Sequence, residues 1–438
     1  MMKAILKKVK VKSRDSLKFL FVKLTVVINQ PTLTALVLAR LASRLGQGNQ
    51  YRVLVMGRSI FTDDIRAMVE FSGQIEYQII HLSFFQVIFD HFVSKSSQAK
   101  ITESNYHNVK EGVEGQQRYY RYLEKMFGPL KQRLGFQAVI SGNIGYIVQQ
   151  ELAKVCLEKN VAFVVLHKEA VVVSQAYDNF LNVYKHHHFF GHKVMFYNNQ
   201  CLQGFLHLNI PGLTTEKAVC VGIPRFDNYF LKKYSDQEPL NQVVFFSFLP
   251  RYSSRFLTSD HDILDKVESK AIDFFKIVYE CANKHPEINF IVKTKMSSQY
   301  VDFPSKILYD SYQNGLPNVS IVNSGDPSKL IYESMAVIGF NSTTLIEALI
   351  AGKKIISPYF GDILTDRDWS FFQKYDDLVC YAKKAEDLEK YLFNKSDNSG
   401  YSEDTKKTFL EEYISTSAGG ASQRAELEII KTINNLSK

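Results

Sequence analysis

The chain has 438 residues, enough for two or three domains, and its 45% hydrophobic and 22% charged content is that of a globular protein with sizeable cores. The net charge of +8 is concentrated in residues 1 to 45, which hold ten cations (Lys3, Lys7, Lys8, Lys10, Lys12, Arg14, Lys18, Lys23, Arg40, Arg44) against one acid, Asp15. The rest is close to neutral, which argues against nucleic acid as a partner, because that needs a basic stripe on the folded body. Five scattered cysteines (Cys156, Cys201, Cys220, Cys281, Cys380) without C-x-x-C spacing argue against a disulfide framework or a zinc site and fit a reducing cytoplasm.

In the basic leader, Phe19 to Val22 form an apolar run closed by Lys18 and Lys23, and only Leu24 to Ile28 follow before Asn29-Gln30-Pro31. No stretch approaches the roughly 20 apolar residues of a membrane span, and no small-residue cleavage site follows an apolar core. Two readings stay open. One is a basic amphipathic segment lying on anionic lipid. The other is a solvated arm, or a first strand, followed by a docking helix Thr32 to Leu45 that starts near Pro31 and stops at Gly46.

Tyr51 to Met56 reads as a strand, Gly57-Arg58-Ser59 as a turn, Asp63 to Phe71 as a helix and Tyr77 to Leu82 as a strand. Residues 93 to 114 are polar and read as a loop or lid, before a helix Gly115 to Phe127 broken by Gly128-Pro129. F-Q-A-V-I-S-G-N-I-G-Y, a helix Ile147 to Lys159 and V-A-F-V-V-L-H-K-E then make a βαβ unit with Ser141, Asn143, His167, Lys168 and Glu169 at its strand ends. His167 or Glu169 is the expected general base for a hydroxyl, the alternative being that H-K-E is a solvated corner. Lys168 pairs with Glu169 or with an anionic acceptor. Asp178 and His186 to His188 stand next in line as bases. Adjacent histidines on an extended segment face opposite ways and no carboxylate is spaced to join them, so no metal site is expected.

A strand Lys193 to Tyr197 and a helix Gln200 to Leu206 lead to G-I-P-R-F-D, where Arg225 either pairs with Asp227 as a hinge or reaches a phosphate or carboxylate. Residues 233 to 241 are polar and contain Pro239, which marks a linker. Val243 to Phe248 opens a second domain, with Arg251 and Arg255 just past the strand end, where a guanidinium can neutralise phosphate. A helix Ile263 to Lys284, His285-Pro286 and a strand Ile288 to Val292 then deliver Lys293 and Lys295.

The stretch Met335 to Asp362 carries the most chemistry. Ala336 to Phe340 reads as a buried strand, Asn341, Ser342, Thr343 and Thr344 supply capping chemistry, Thr344 to Ile350 has helical spacing that stops at Gly352, and Lys354 to Ser357 is the next strand. The start of that helix presents free N–H groups to a diphosphate. Glu347 lies one turn on and can accept hydrogen bonds from a pair of ribose hydroxyls. Tyr359 to Asp368 is expected as a loop over the nucleotide and Leu378 to Tyr381 as an edge strand.

This unit resembles the donor-nucleotide unit of GT-B fold glycosyltransferases, especially those of bacterial capsule, O-antigen and related surface-polysaccharide synthesis. G-N-x-x-Y followed by H-K-E, the Gly222 to Asp227 turn, H-P before a strand ending in basic residues, and a last helix opened by Ser422 and Arg424 occur in the same order, over roughly residues 50 to 436. The chain departs from the pattern in lacking the E-x-x-x-x-x-x-x-E signature of the large retaining class and a G-G-x-x-T-type loop, which leaves donor and stereochemistry open.

The resemblance implies an α/β protein of two Rossmann-like domains facing each other across a cleft. The expected divisions are a leader at 1–48, an acceptor domain at 49–232, a linker at 233–241, a nucleotide-sugar domain at 242–415 and a C-terminal helix at 416–438 that packs back across the cleft. It implies transfer of a sugar from a nucleotide-activated donor to a surface-polysaccharide or lipid-linked glycan acceptor, with no cofactor and no metal, since cationic side chains and a helix N-terminus can stabilise the leaving phosphate. His167 and Glu169 are the catalytic candidates; Arg251, Lys293, Lys295, Asn341, Ser342, Thr343, Thr344 and Glu347 are the donor-binding ones. The expected location is the cytoplasmic face of the membrane, held peripherally through anionic lipid by residues 1–45. A non-hydrolysing nucleotide-sugar 2-epimerase and a non-catalytic nucleotide- or glycan-binding protein are the alternatives.

Overall fold

A computed structural model describes residues 16–48, 50–168, 176–231, 240–254, 258–365, 368–393 and 402–437. The chain divides into two units. Residues 1–170, 181–227 and 420–438 belong to the first, and 171–180 and 228–419 to the second.

Seven strands form the sheet of the first unit: β1 (Ser43–Leu45), β2 (Tyr51–Gly57), β3 (Ile75–His81), β4 (Ala138–Ser141), β5 (Ala162–His167), β6 (Lys193–Phe196) and β7 (Ala218–Cys220), in the order β1-β3-β2-β4-β5-β6-β7. All pairings are parallel except that of β1, where Ser43 lies opposite Ile79. The apolar runs of β4 and β5 are buried throughout, as expected of parallel strands covered on both faces.

The second sheet has six parallel strands: β8 (Gln242–Phe246), β9 (Asn289–Lys293), β10 (Val319–Val322), β11 (Ala336–Ile338), β12 (Lys354–Pro358) and β13 (Cys380–Ala382), in the order β10-β9-β8-β11-β12-β13. Its central strand β8 is fully buried, and Phe245 packs against Phe274 and Phe275 of the helix His261–Lys284 at ring separations of 5.9 and 4.6 Å. Asp260 caps that helix by accepting from the N–H groups of Asp262 and Ile263.

Several elements differ from their sequence-based expectation. The helix expected over Thr32 to Leu45 ends at Leu41, and Ser43–Leu45 becomes β1, because Tyr77–Ile79 offers an open sheet edge. The break expected at Gly128-Pro129 does not occur, and one helix runs Val113–Leu134 through Pro129. Met126, Phe127, Leu130 and Leu134 stay buried along one face. Four such side chains at about 1.5–3 kcal/mol each outweigh the roughly 3 kcal/mol of an interior proline. Residues 93 to 114 are not without regular structure, since Lys95–Gln98 forms a helical turn. The leader and first domain are not separate either: the helix Pro31–Leu41 packs on Val113–Leu134 inside the first unit. The chain passes to the second unit after Asp227, five residues before the expected end of the first domain at 232. Most of the expected linker, residues 233–239, lies outside the described residues.

The last helix, Ala421–Leu436, belongs to the first unit, where Ala425, Ile429 and Ile433 are buried. Its first N–H groups, on Ala421 and Ser422, donate to the Asp227 carboxylate at 3.2 and 2.8 Å. Arg225 therefore does not pair with Asp227. It turns to the fully buried Asp64, with Nη1 3.2 Å from Oδ1, and also donates to the Tyr197 hydroxyl at 3.1 Å.

Candidate functional site

In an open α/β sheet, ligands sit beyond the carboxyl ends of the strands where the strand order reverses. In the second unit β8 leads by way of the helix His261–Lys284 to β9 on one side, while β11 leads through the helix Thr343–Ile350 to β12 on the other. The reversal falls between β8 and β11. Their strand ends lie close together: a Cβ on Gly339 would stand 3.6 Å from the Phe246 carbonyl oxygen and 3.1 Å from Leu345.

Ser342 is the N-cap of Thr343–Ile350, its hydroxyl accepting from the Thr344 N–H at 3.4 Å and the Thr344 hydroxyl at 2.8 Å. Ser342, Thr343 and Thr344 are half-buried. Asn341 has a different task. It adopts the left-handed conformation at φ 43°, which asparagine tolerates better than most residues. Its side-chain amide donates to the Trp369 carbonyl at 2.7 Å and accepts from the Phe371 N–H at 3.2 Å. Asn341 thus ties down the chain that follows the Tyr359 loop, where Trp369 stacks over Phe340 at 6.4 Å, and its side chain is spent on that brace.

Glu347 is buried, and its Oε2 accepts from the Tyr229 hydroxyl at 2.6 Å. Tyr229 is fixed in turn by stacking on Tyr332 at 5.5 Å, so the carboxylate is oriented rather than mobile. Lys293 is half-buried at the end of β9 and donates to the Thr294 carbonyl at 2.9 Å; burial lowers its pKa. No carboxylate pairs with Lys293 among the described residues. Lys295 lies over the rings of Tyr252 and Tyr300, at 5.5 and 5.1 Å. Arg251 does not stand open to a phosphate: it is ion-paired with Asp265 and with Glu268, the latter at 2.5 Å, on the helix that follows. Arg255 lies outside the described residues.

Sequence reasoning missed Ser247. It directly follows β8, its N–H donates to the Lys293 carbonyl at 2.9 Å, and its side-chain oxygen is buried without a hydrogen-bond partner among the described residues. Ser254, on the next helical turn, shares that condition. A buried hydroxyl left unpaired costs about 1–3 kcal/mol, and here it sits at the strand reversal. Neither serine carried a motif; only its position in the assembled sheet distinguishes it. A cavity of about 370 Å³ lined by Tyr229, Phe230, Ile350, Lys406 and Leu410 lies instead at the carboxyl end of Thr343–Ile350, away from the helix start.

The first unit presents a contrasting set. His167 has no exposed surface, and its ring packs against Tyr184, Phe196 and Phe205. The Ile144 N–H, which can only donate, meets His167 Nδ1 at 3.3 Å, so the basic lone pair is already engaged and Nε2 carries the proton. In this arrangement His167 braces the 142–146 turn and does not face solvent as a base. Ser141 donates to Gln149, while Asn143 accepts from the Gly145 N–H at 2.7 Å and donates to the Tyr184 hydroxyl at 3.4 Å. Lys168 is half-buried, with its N–H on the Gly142 carbonyl, and Glu169 lies outside the described residues.

The three adjacent histidines diverge: His186 is exposed, His187 buried and His188 half-buried. His187 Nε2 donates to the Ile144 carbonyl at 3.2 Å, and the His107 ring stacks on His188 at 5.3 Å. Burial pushes the pKa of His187 down to about 4 and that of His107 to about 3, the latter helped by the neighbouring His187. Asp178 is exposed.

No protein-family model and no curated protein sequence matches the chain. Solved structures do. The wall teichoic acid polymerase TagF aligns with 97% of this chain and 99% of its own, at 13% identity and TM-score 0.51. A Listeria monocytogenes protein assigned as a UDP-N-acetylglucosamine 2-epimerase aligns with 88% of this chain and 97% of its own, at 10% identity and TM-score 0.51. Both are GT-B fold proteins that belong to the nucleotide-sugar enzymes. At such identities the likeness carries the fold, two Rossmann-like α/β domains of the GT-B type.

Proposed function

We propose that the protein is a metal-independent glycosyltransferase whose second unit holds a nucleotide sugar and whose product is a surface polysaccharide or lipid-linked glycan of the capsule or O-antigen kind. The observation that carries this reading is the strand reversal between β8 and β11, where the start of Thr343–Ile350, the unpaired Ser247 hydroxyl and the Lys293 ammonium come from adjacent strand ends. A helix start and a cation suit a diphosphate, and a hydroxyl adds a donor. On this reading Glu347, whose carboxylate is oriented by the Tyr229 hydroxyl, accepts from the ribose hydroxyls. Lys295 and Arg251 serve at most through their charge, since both side chains have protein partners. Of the two leading candidate bases Glu169 remains, because the His167 lone pair is engaged, with Asp178 and His186 next in line. The acceptor, on this reading, is presented at the cytoplasmic face of the membrane, whose anionic lipid attracts residues 1–45.

The test is a panel of nucleotide sugars screened by thermal shift, followed by nucleotide release with and without acceptor glycans. Stabilisation by one nucleotide class and acceptor-dependent release support the proposal, because a ligand bound only by the folded state raises stability by mass action. Isomerisation of the sugar without acceptor would establish the 2-epimerase alternative instead. Binding with neither reaction would leave a nucleotide-binding protein.

A further inference from the structure

Residues 16–27 form a helix with two apolar stripes. Val22 and Val26 have no exposed surface, and Phe19 packs on Phe84 of the helix Leu82–Phe92 at 4.8 Å. Thr25 and Thr34 are joined at 2.8 Å, and Thr34 meets the Tyr122 hydroxyl at 2.6 Å, so the helix is bolted to the body of the first unit. The other stripe is bare. Leu17 is 50% exposed, Leu20 49%, Phe21 57%, Leu24 49% and Ile28, just past the helix, 58%. At roughly 100° per residue, the positions 17, 20, 21, 24 and 28 fall on one side of the axis and 19, 22 and 26 on the other. Lys18 and Lys23 fall on the two flanks between them.

An amphipathic helix that docks needs one apolar stripe, and the second calls for an occupant. Charge selects it. Residues 16–45 contain Lys18, Lys23, Arg40 and Arg44 and no acid. A second copy of the chain would bring the same cations against one another, whereas an anionic bilayer offers acyl chains to the leucines and phosphates to the lysines.

We propose that Leu17, Leu20, Phe21, Leu24 and Ile28 insert into the interfacial layer of an anionic membrane, with Lys18 and Lys23 at headgroup level. The helix is then not a tether: Phe19, Val22 and Val26 transmit its orientation to the first unit, which is held in a set pose on the bilayer. The inference rests on the proposed function only for its purpose, namely a membrane-borne acceptor, and its test uses neither donor nor acceptor.

Full-length protein and the double variant Leu20→Gln/Phe21→Gln are compared by sedimentation with phosphatidylcholine vesicles with and without phosphatidylglycerol, each variant checked for an unchanged melting temperature. Wild type is expected to bind the anionic vesicles, and the variant to bind them about tenfold less tightly or weaker still, because apolar insertion is lost while every cation remains. Lys18→Gln/Lys23→Gln should weaken the preference for phosphatidylglycerol without abolishing it, since the other cations of residues 1–45 remain. Equal binding by wild type and Leu20→Gln/Phe21→Gln would overturn the proposal, leaving the cations as a purely electrostatic attachment. Absence of vesicle binding, with light scattering showing a dimer that Leu20→Gln/Phe21→Gln dissociates, would overturn it in favour of an interface between copies.

Discussion

The turn Gly142 to Tyr146 in the first unit and the turn Gly339 to Ser342 in the second are the same kind of element, a glycine-bearing link between a buried parallel strand and a helix. They differ in how many side chains close upon their backbone. In the first, His167, His187, Gln150 and Asn143 close upon the backbone of residues 144 to 146, whose Ile144 and Gly145 N–H groups and Ile144 carbonyl are thereby engaged. In the second, Asn341 braces a neighbouring loop and the Ser342 hydroxyl caps the following helix through the Thr344 N–H. Thr343, Lys293 and the buried Ser247 hydroxyl at the adjoining strand ends remain without side-chain partners among the described residues. A closed polar turn rigidifies a core; an open one leaves polar groups that a ligand can engage. Capping residues and glycines at a strand end are thus no guide to function until their hydrogen bonds are traced.

The difference is broken most severely at His167. His167→Ala removes a fully buried ring and the acceptor for the Ile144 N–H, and should destabilise the protein by about 3–5 kcal/mol in chemical denaturation. Nucleotide affinity of the fraction that remains folded should be unchanged. An unaltered denaturation midpoint with lost turnover would return His167 to the chemistry.

Acid should open the same turn. His187 and His107 titrate near 6.5 when unfolded but are held down to about 4 and about 3 in the fold. The folded state therefore binds fewer protons between these values. Their contribution is fully present above pH 6.5 and is lost as pH falls, by on the order of 3 kcal/mol per ring at pH 4. Denaturation midpoints measured from pH 7 to pH 4 check this, and His187→Asn should flatten the slope.

Effects on the open turn should appear in binding. Glu347→Ala is expected to weaken donor affinity by about 1.5–3 kcal/mol, read by calorimetry on the folded variant, as a charge-assisted pair of hydrogen bonds is lost. Tyr229→Phe keeps the carboxylate and removes only its 2.6 Å donor, so it should cost less than Glu347→Ala. Equal affinity in Glu347→Ala and wild type would remove Glu347 from the site.

The smallest effect is expected at Arg251. With both partners on the helix His261–Lys284 and in solvent, Arg251→Gln should leave the denaturation midpoint almost unchanged. Its effect on donor affinity should be smaller than that of Lys293→Gln, since Lys293 lacks an acidic partner among the described residues. A larger loss of donor affinity at Arg251 would show that the ion pair opens on binding.

The class of fold, the strand–turn–helix order and the Met335 to Asp362 unit could be read from the sequence, because alternating apolar runs, capping serines and threonines and stopping glycines act over a few residues. Helix ends such as that of Val113–Leu134 could not, since burial of Leu130 and Leu134 against other elements overrode the local signal of Pro129. The same holds for side-chain roles. His167 meets Ile144 across 23 residues, Tyr229 meets Glu347 across 118 and Arg225 meets Asp64 across 161. A hydrogen bond forms only within about 3 Å, and no local pattern records which distant groups will be brought that near. The sequence by itself determined which residues stand at the strand ends, and the tertiary structure decided which of them were already taken.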